Sequence, residues 1–68
     1  MKIFCERLKE LRDEKELLQK DLAIILGTTN SSVCDWETGR HQPDYEMLVK
    51  IADYFGVTTD YLLGRTDV

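Results

Sequence analysis

The pattern Gly-x-Thr stands between two apolar stretches at residues 27–29 and again at 56–58. Glycine accepts the left-handed conformation that closes a helix, and a threonine two positions later can cap the next helix by accepting a first-turn N–H. Each copy therefore ends one helix and starts another with a tight change of direction. A chain punctuated in this way folds as a bundle of short helices, and the apolar spacing agrees. Phe4, Leu8 and Leu11 stand at i, i+4 and i+7, with Met1 one step earlier. They form one stripe and predict a helix over about residues 2–15. Leu22, Ala23 and Leu26 mark a second, two-turn helix from Gln19 that stops at Gly27. Thr29 is the expected N-cap of a third, over about residues 30–37, and Thr38 to Pro43 reads as a loop. Asp44 is an acidic N-cap for a fourth helix, with Tyr45, Leu48, Ile51, Ala52 and Phe55 as its apolar face and Gly56 at its end. Thr58 caps a short fifth helix, where Asp60 favours the positive end of the helix dipole and Gly64 closes the chain direction set by Leu62 and Leu63. Nothing reads as a strand. The expectation is an all-α, five-helix bundle, with residues 1–68 as a single domain.

Size narrows the function classes. A chain of 7.9 kDa exposes about 11,500 Å² unfolded and roughly 4,400 Å² folded, enough for one thin core. The longest uninterrupted apolar run, Leu22 to Leu26, has five residues, against about 20 for a membrane span. No apolar stretch marks the N-terminus as an export signal, so a cytoplasmic, nucleoid-associated protein is expected, with no membrane partner. Cys5 and Cys34 then read as reduced thiols. There is no Cys-x-x-Cys, and His41 is the one histidine, so the ligands of a zinc site are lacking and no metal or cofactor is expected. No nucleophile elbow, phosphate-cradling glycine loop or carboxylate pair in a cleft supports catalysis.

Residues 19–37 hold the one motif with functional content. Two short helices crossing tightly need a small residue in the first, a glycine in the turn and a branched apolar residue in the second. Ala23, Gly27 and Val33 fill those roles, and Trp36, one turn later, is placed to plug the space behind the second helix.

The wider pattern is Leu17-Leu18-Gln19-Lys20-Asp21-Leu22-Ala23, Leu26-Gly27, Val33, Trp36-Glu37-x-Gly39-Arg40, Pro43-Asp44, Ile51-Ala52-x-x-Phe55-Gly56-Val57 and Asp60-Tyr61-Leu62-Leu63-Gly64. Over roughly residues 4–64 it resembles the Cro/phage-repressor type of helix-turn-helix domain, also called the xenobiotic-response-element type. The resemblance implies a lambda-repressor-like fold and a bacterial or phage transcriptional regulator, most simply a repressor. Such a protein binds double-stranded DNA as a two-fold dimer on a palindromic operator, with its third helix in the major groove. By position, the implied base-reading residues are Asn30, Ser31 and Asp35, flanked by Thr29 and Ser32. Gln19, with Lys20, matches the start of the second helix that touches the DNA backbone. The Arg40–Tyr45 segment, including His41, matches the loop and helix start that grip phosphate. Arg12 and Glu37 match an internal ion pair. With no further domain in the sequence, a homodimer formed mainly on DNA is expected to use the region around Val57–Leu63, with Val57, Thr59, Tyr61 and Leu62 as contacts.

The side-chain chemistry suits that reading. Asn can bond adenine through two contacts, and Ser suits several base edges. Charge opposes it: through Asp21 six bases balance six acids, and the remainder carries three bases against seven acids, the whole net −4. Helix N-termini offset this locally by presenting N–H groups and a positive dipole end to phosphate, and Arg40, His41, Lys20 and Lys50 add positive charge nearby. Leu18 departs from the family pattern by standing where Ser or Thr usually caps the second helix. Ile24 and Ile25 stand where solvated residues are usual. Leu18 and Ile25 share a face, which reads either as scattered exposed apolar residues or as a protein-binding patch. The patch sustains two rival readings, an antitoxin that binds a toxin there and an acidic interaction module such as an antirepressor. Asp35 reads equally as a solvated helix acid or a base contact, Cys34 as inert before redox-active, and His41 as a phosphate neighbour before a pH switch. The charges of the first helix read as a solvated face. Tyr45, Tyr54, Phe55 and Tyr61 read as core or dimer contacts.

Overall fold

The computed structural model describes residues 2–68. Met1, which the spacing adds to the first apolar stripe, lies outside the described residues. Five helices follow in order: α1 (Lys2–Glu14), α2 (Gln19–Leu26), α3 (Asn30–Thr38), α4 (Tyr45–Phe55) and α5 (Thr59–Leu63). The described residues contain no strand. The accessible surface is 4522 Å², close to the ~4,400 Å² expected for this mass.

Every helix contributes to one core. Phe4 and Leu8 come from α1, Leu22, Ala23 and Leu26 from α2, Val33 and Trp36 from α3, Ile51 and Ala52 from α4, and Leu62 from α5. Leu11, Leu48, Phe55 and Val57 pack around it, partly buried. The core therefore sits where all five apolar stripes converge, so no helix could keep its place alone. Tyr45 is not part of it. The ring is 88% exposed, because α4 begins at Tyr45 and its first turn overhangs the core that Leu48, Ile51 and Ala52 enter.

Caps and closures follow the side chains available. Thr29 accepts from Ser32 N–H at 3.1 Å, Asp44 from Met47 N–H at 2.8 Å, and Thr58 from Tyr61 N–H at 3.0 Å. Leu18 heads α2 without an acceptor of its own. Asp21 supplies half of a capping box by accepting from Leu18 N–H at 3.0 Å. At the end of α1 the chain reverses without a glycine. Glu16 takes φ 56°, and Leu17 N–H bonds back to Arg12 carbonyl at 3.2 Å, a helix closure that normally selects Gly.

The charges of α1 are not a simple solvated face. Arg7 crosses to the C-terminal segment. It donates to the Tyr61 carbonyl and, at 2.7 Å, to the Thr66 carbonyl, with its guanidinium 4.2 Å from the Tyr61 ring centre. Arg12 is buried.

Candidate nucleic-acid interface

Gly27 makes the turn between α2 and α3. Its φ of 72° is left-handed, and Thr28 N–H returns to Ala23 carbonyl at 2.9 Å. Ala23 and Val33 are both buried across that turn, and Trp36, 6% exposed, fills the core one turn further on. Lys50 of α4 braces the same turn, donating from Nζ to the Leu26 carbonyl at 2.8 Å. That ammonium is therefore committed to the C-terminal, negative end of α2 and is not a loose surface charge.

Val33 and Trp36 face inward, so helical spacing turns Ser31, Cys34, Asp35 and Thr38 outward on α3. Ser31 and Thr38 are exposed, and Cys34 and Asp35 half-buried. Asn30 is exposed in the first turn. Thr29 and Ser32 have local duties: besides the cap, Thr29 Oγ1 lies 3.0 Å from Ser32 Oγ. Thr38, read from sequence as loop, extends α3 and shares the outward stripe, a position that its spacing of seven from Ser31 could have signalled. Its hydroxyl donates to Cys34 carbonyl at 3.0 Å.

The far end of α3 is fixed by charge. Arg12 Nε and Nη2 donate to Glu37 Oε2 and Oε1 at 2.6 and 3.0 Å, the two-pronged arrangement guanidinium and carboxylate favour. Gln19 Nε2 donates to Glu37 Oε1 at 3.1 Å, and Arg12 Nη1 reaches the Leu17 carbonyl at 2.6 Å. The Glu37 hydrogen bond raises the pKa of Arg12 above its ordinary value, against the opposing effect of burial. One side-chain network thus ties the first turn of α2 to the last turn of α3. Lys20, Arg40 and His41 are exposed nearby in the sequence of both elements, as is the Tyr45 ring. Asp35 is half-buried but not isolated, because its Oδ2 lies 3.1 Å from His41 Nδ1.

The fifth helix departs from its expected role at one residue. Leu62, expected to touch a dimer partner, is fully buried in the core and cannot do so. The other expected contacts differ: Val57 before the helix and Thr59 and Tyr61 on it are half-buried, and Tyr61 is partly covered by Arg7. Leu18, Ile24 and Ile25 stay exposed, Ile24 to 79%.

No helix is long and apolar enough to cross a membrane, and the described residues hold no cluster able to ligate a metal ion. Residues 8–62 match the family model described as Helix-turn-helix. The Bacillus subtilis (strain 168) regulator YqaE, named as helix-turn-helix type, is 39% identical over 61 residues, 90% of this chain and 53% of its own length. The SPbeta prophage-derived regulator YonR of the same strain is 39% identical over 64 residues, 94% of this chain and 59% of its own. The transcriptional activator BcrR of Enterococcus faecalis is 40% identical over 65 residues, 96% of this chain and 32% of its own. The chain thus spans between a third and three-fifths of the length of these relatives.

Proposed function

The chain belongs to the helix-turn-helix family of transcriptional regulators, with an all-α, lambda-repressor-like fold, and from that membership we propose that residues 1–68 act as one sequence-specific DNA-binding unit. In this reading α3 enters the major groove of double-stranded DNA. Asn30 and Ser31 meet base edges, Thr29 and Ser32 shape the first turn, and Asp35 borders the site. Gln19, Lys20, Arg40, His41 and Tyr45 meet the sugar-phosphate backbone. Two copies bind a palindromic operator and repress the gene beside it. The sign of regulation belongs to the proposal, since BcrR is named an activator.

The observation that carries this reading is the polar, exposed first turn of α3, mounted on a helix whose opposite face is locked into the core by Val33 and Trp36. A rigid platform presenting Asn and Ser is what base-edge contacts require. The test is selection from a random DNA library with the purified chain, followed by anisotropy titration of the winner. A palindrome with half-sites about 10 bp apart is expected. A library that shows no enrichment overturns the proposal. It would favour the second reading, supported by exposed Leu18, Ile24 and Ile25: a protein-binding module or antitoxin whose partner covers that face.

A further inference from the structure

We propose that His41 is a positioning residue for the recognition helix: it holds and, when protonated, neutralises the Asp35 carboxylate, so DNA affinity rises as pH falls through the histidine range. The inference rests on the DNA-binding reading above.

The geometry begins with α3 itself. Gly39 closes the helix with φ 81°, and the chain folds back so that Arg40 N–H reaches the Asp35 carbonyl at 2.9 Å, with His41 N–H at 3.4 Å from the same oxygen. This reversal sets the imidazole beside the carboxylate of the residue six positions earlier, Nδ1 to Oδ2 3.1 Å. Asp35 is 26% exposed and His41 72%. Among the described residues, the ion pairs of Asp35 are with His41 alone. The other acid of this helix, Glu37, is already held by Arg12 and Gln19.

An unneutralised carboxylate on the outward stripe of α3 would oppose the phosphates flanking a major groove. A neutral imidazole in the tautomer with hydrogen on Nδ1 can donate to Asp35, which directs the carboxylate but leaves its negative charge. The imidazolium keeps the same contact and cancels that charge. DNA therefore favours the protonated form, and by linkage affinity increases on acidification. The ionisable groups on the elements meeting here are Lys2, Cys5, Glu6, Arg7, Lys9, Glu10, Arg12, Asp13 and Glu14 of α1, Cys34 and Glu37 of α3, and Arg40 and Asp44 of the connecting loop. His41 is the only histidine in the sequence.

The test is the ratio of DNA affinities at pH 5.5 and pH 8, measured on the selected duplex at fixed salt with circular dichroism confirming the fold. An exposed pair of this kind is worth about two- to five-fold per protomer, and the wild-type ratio should fall there. His41→Gln, which can still donate to Asp35 but cannot take a charge, should flatten the profile. Asp35→Asn should flatten it as well, whatever it does to the absolute affinity. A wild-type profile already flat overturns the proposal. So does an Asp35→Asn profile as steep as wild type, since the pH dependence would then owe nothing to the Asp35 carboxylate and would come from the contact of His41 with phosphate alone. Failure to bind any enriched duplex at any pH overturns the DNA-binding reading together with it, whereas a pH-independent complex overturns only the role of His41.

Discussion

Removing the Arg12 guanidinium would leave the Glu37 carboxylate, only 3% exposed as a side chain, without its principal partner. Breaking a buried pair from one side costs about 3–5 kcal/mol. A 68-residue domain has about 3–10 kcal/mol of total stability at ordinary per-residue values. Arg12→Ala should therefore remove from about a third to all of that stability, read as a large drop in the urea midpoint or loss of the cooperative transition. Because Glu37 raises the Arg12 pKa, the guanidinium stays charged far above neutrality. The stability it supports is therefore kept as pH rises through neutrality and is lost only as pH climbs through the raised Arg12 titration. At the DNA face the expected effects are of another kind. Asn30→Ala and Ser31→Ala should leave the unfolding midpoint nearly unchanged while relaxing base preference, at about 1–3 kcal/mol for each contact made. Repeating the library selection with each variant checks this, and an unchanged motif in both would move the recognition face elsewhere. The Arg12–Glu37 pair was legible only through family resemblance, since 25 positions separate its members. The Asp35–His41 contact was not legible at all, because it depends on the reversal at Gly39 rather than on helical spacing.

Helix α2 is the element with the least local support. It has eight residues, too few to hold alone in water. Its N-cap leucine offers no acceptor to the first turn, and only Asp21 answers from the other side. Leu18→Ser would complete the capping box and should stabilise by about 1 kcal/mol. In a domain this small that is about 4–8 °C in Tm by calorimetry. An unchanged or lower Tm would mean that the Leu18 side chain gives more by its apolar contacts than the missing hydroxyl takes away. Helices with a capping side chain and a closing glycine were readable from sequence to within a residue, as at Thr29, Asp44 and Thr58. The end of α1 was placed as closely by the end of its apolar stripe, but the way it closes was not, because Glu16 adopts a left-handed φ without being Gly. The overhang of Tyr45 was unreadable for a different reason: periodicity locates a face but not how far the opposing core extends beneath it.

Across the whole molecule, a net charge of −4 must coexist with a polyanionic partner. Repulsion at long range is screened beyond about 8–10 Å at physiological salt, so in the proposed complex the favourable contacts would be local, from helix N-termini and the exposed Lys20 and Arg40. Log affinity for DNA should fall linearly with log salt, with a slope of about −0.9 for each phosphate neutralised. A dimer with several contacts per protomer should therefore show a steep line. A shallow line, of one or two ions, would mean that the acidic half of the chain keeps the backbone at a distance. The five-helix arrangement was legible because each stripe, cap and closing glycine pointed to the same bundle. Which α5 residues are free to meet a partner was not, since apolar side chains on a five-residue helix look alike in sequence whether they are buried, as Leu62 is, or half-exposed, as Tyr61 is.

Trp36 gives the molecule its own optical label. It is the only tryptophan, it lies on α3, and its indole is 6% exposed in the common core. Emission from the folded protein should be blue-shifted and poorly quenched by acrylamide, and it should move to the red in one step with the urea transition. The ring faces away from the outward stripe of α3, so docking on DNA as a rigid body would leave the spectrum almost still. A spectral change on binding would instead report that α3 shifts against its own core, separating a preformed recognition surface from one that is remade on contact, without attaching any dye.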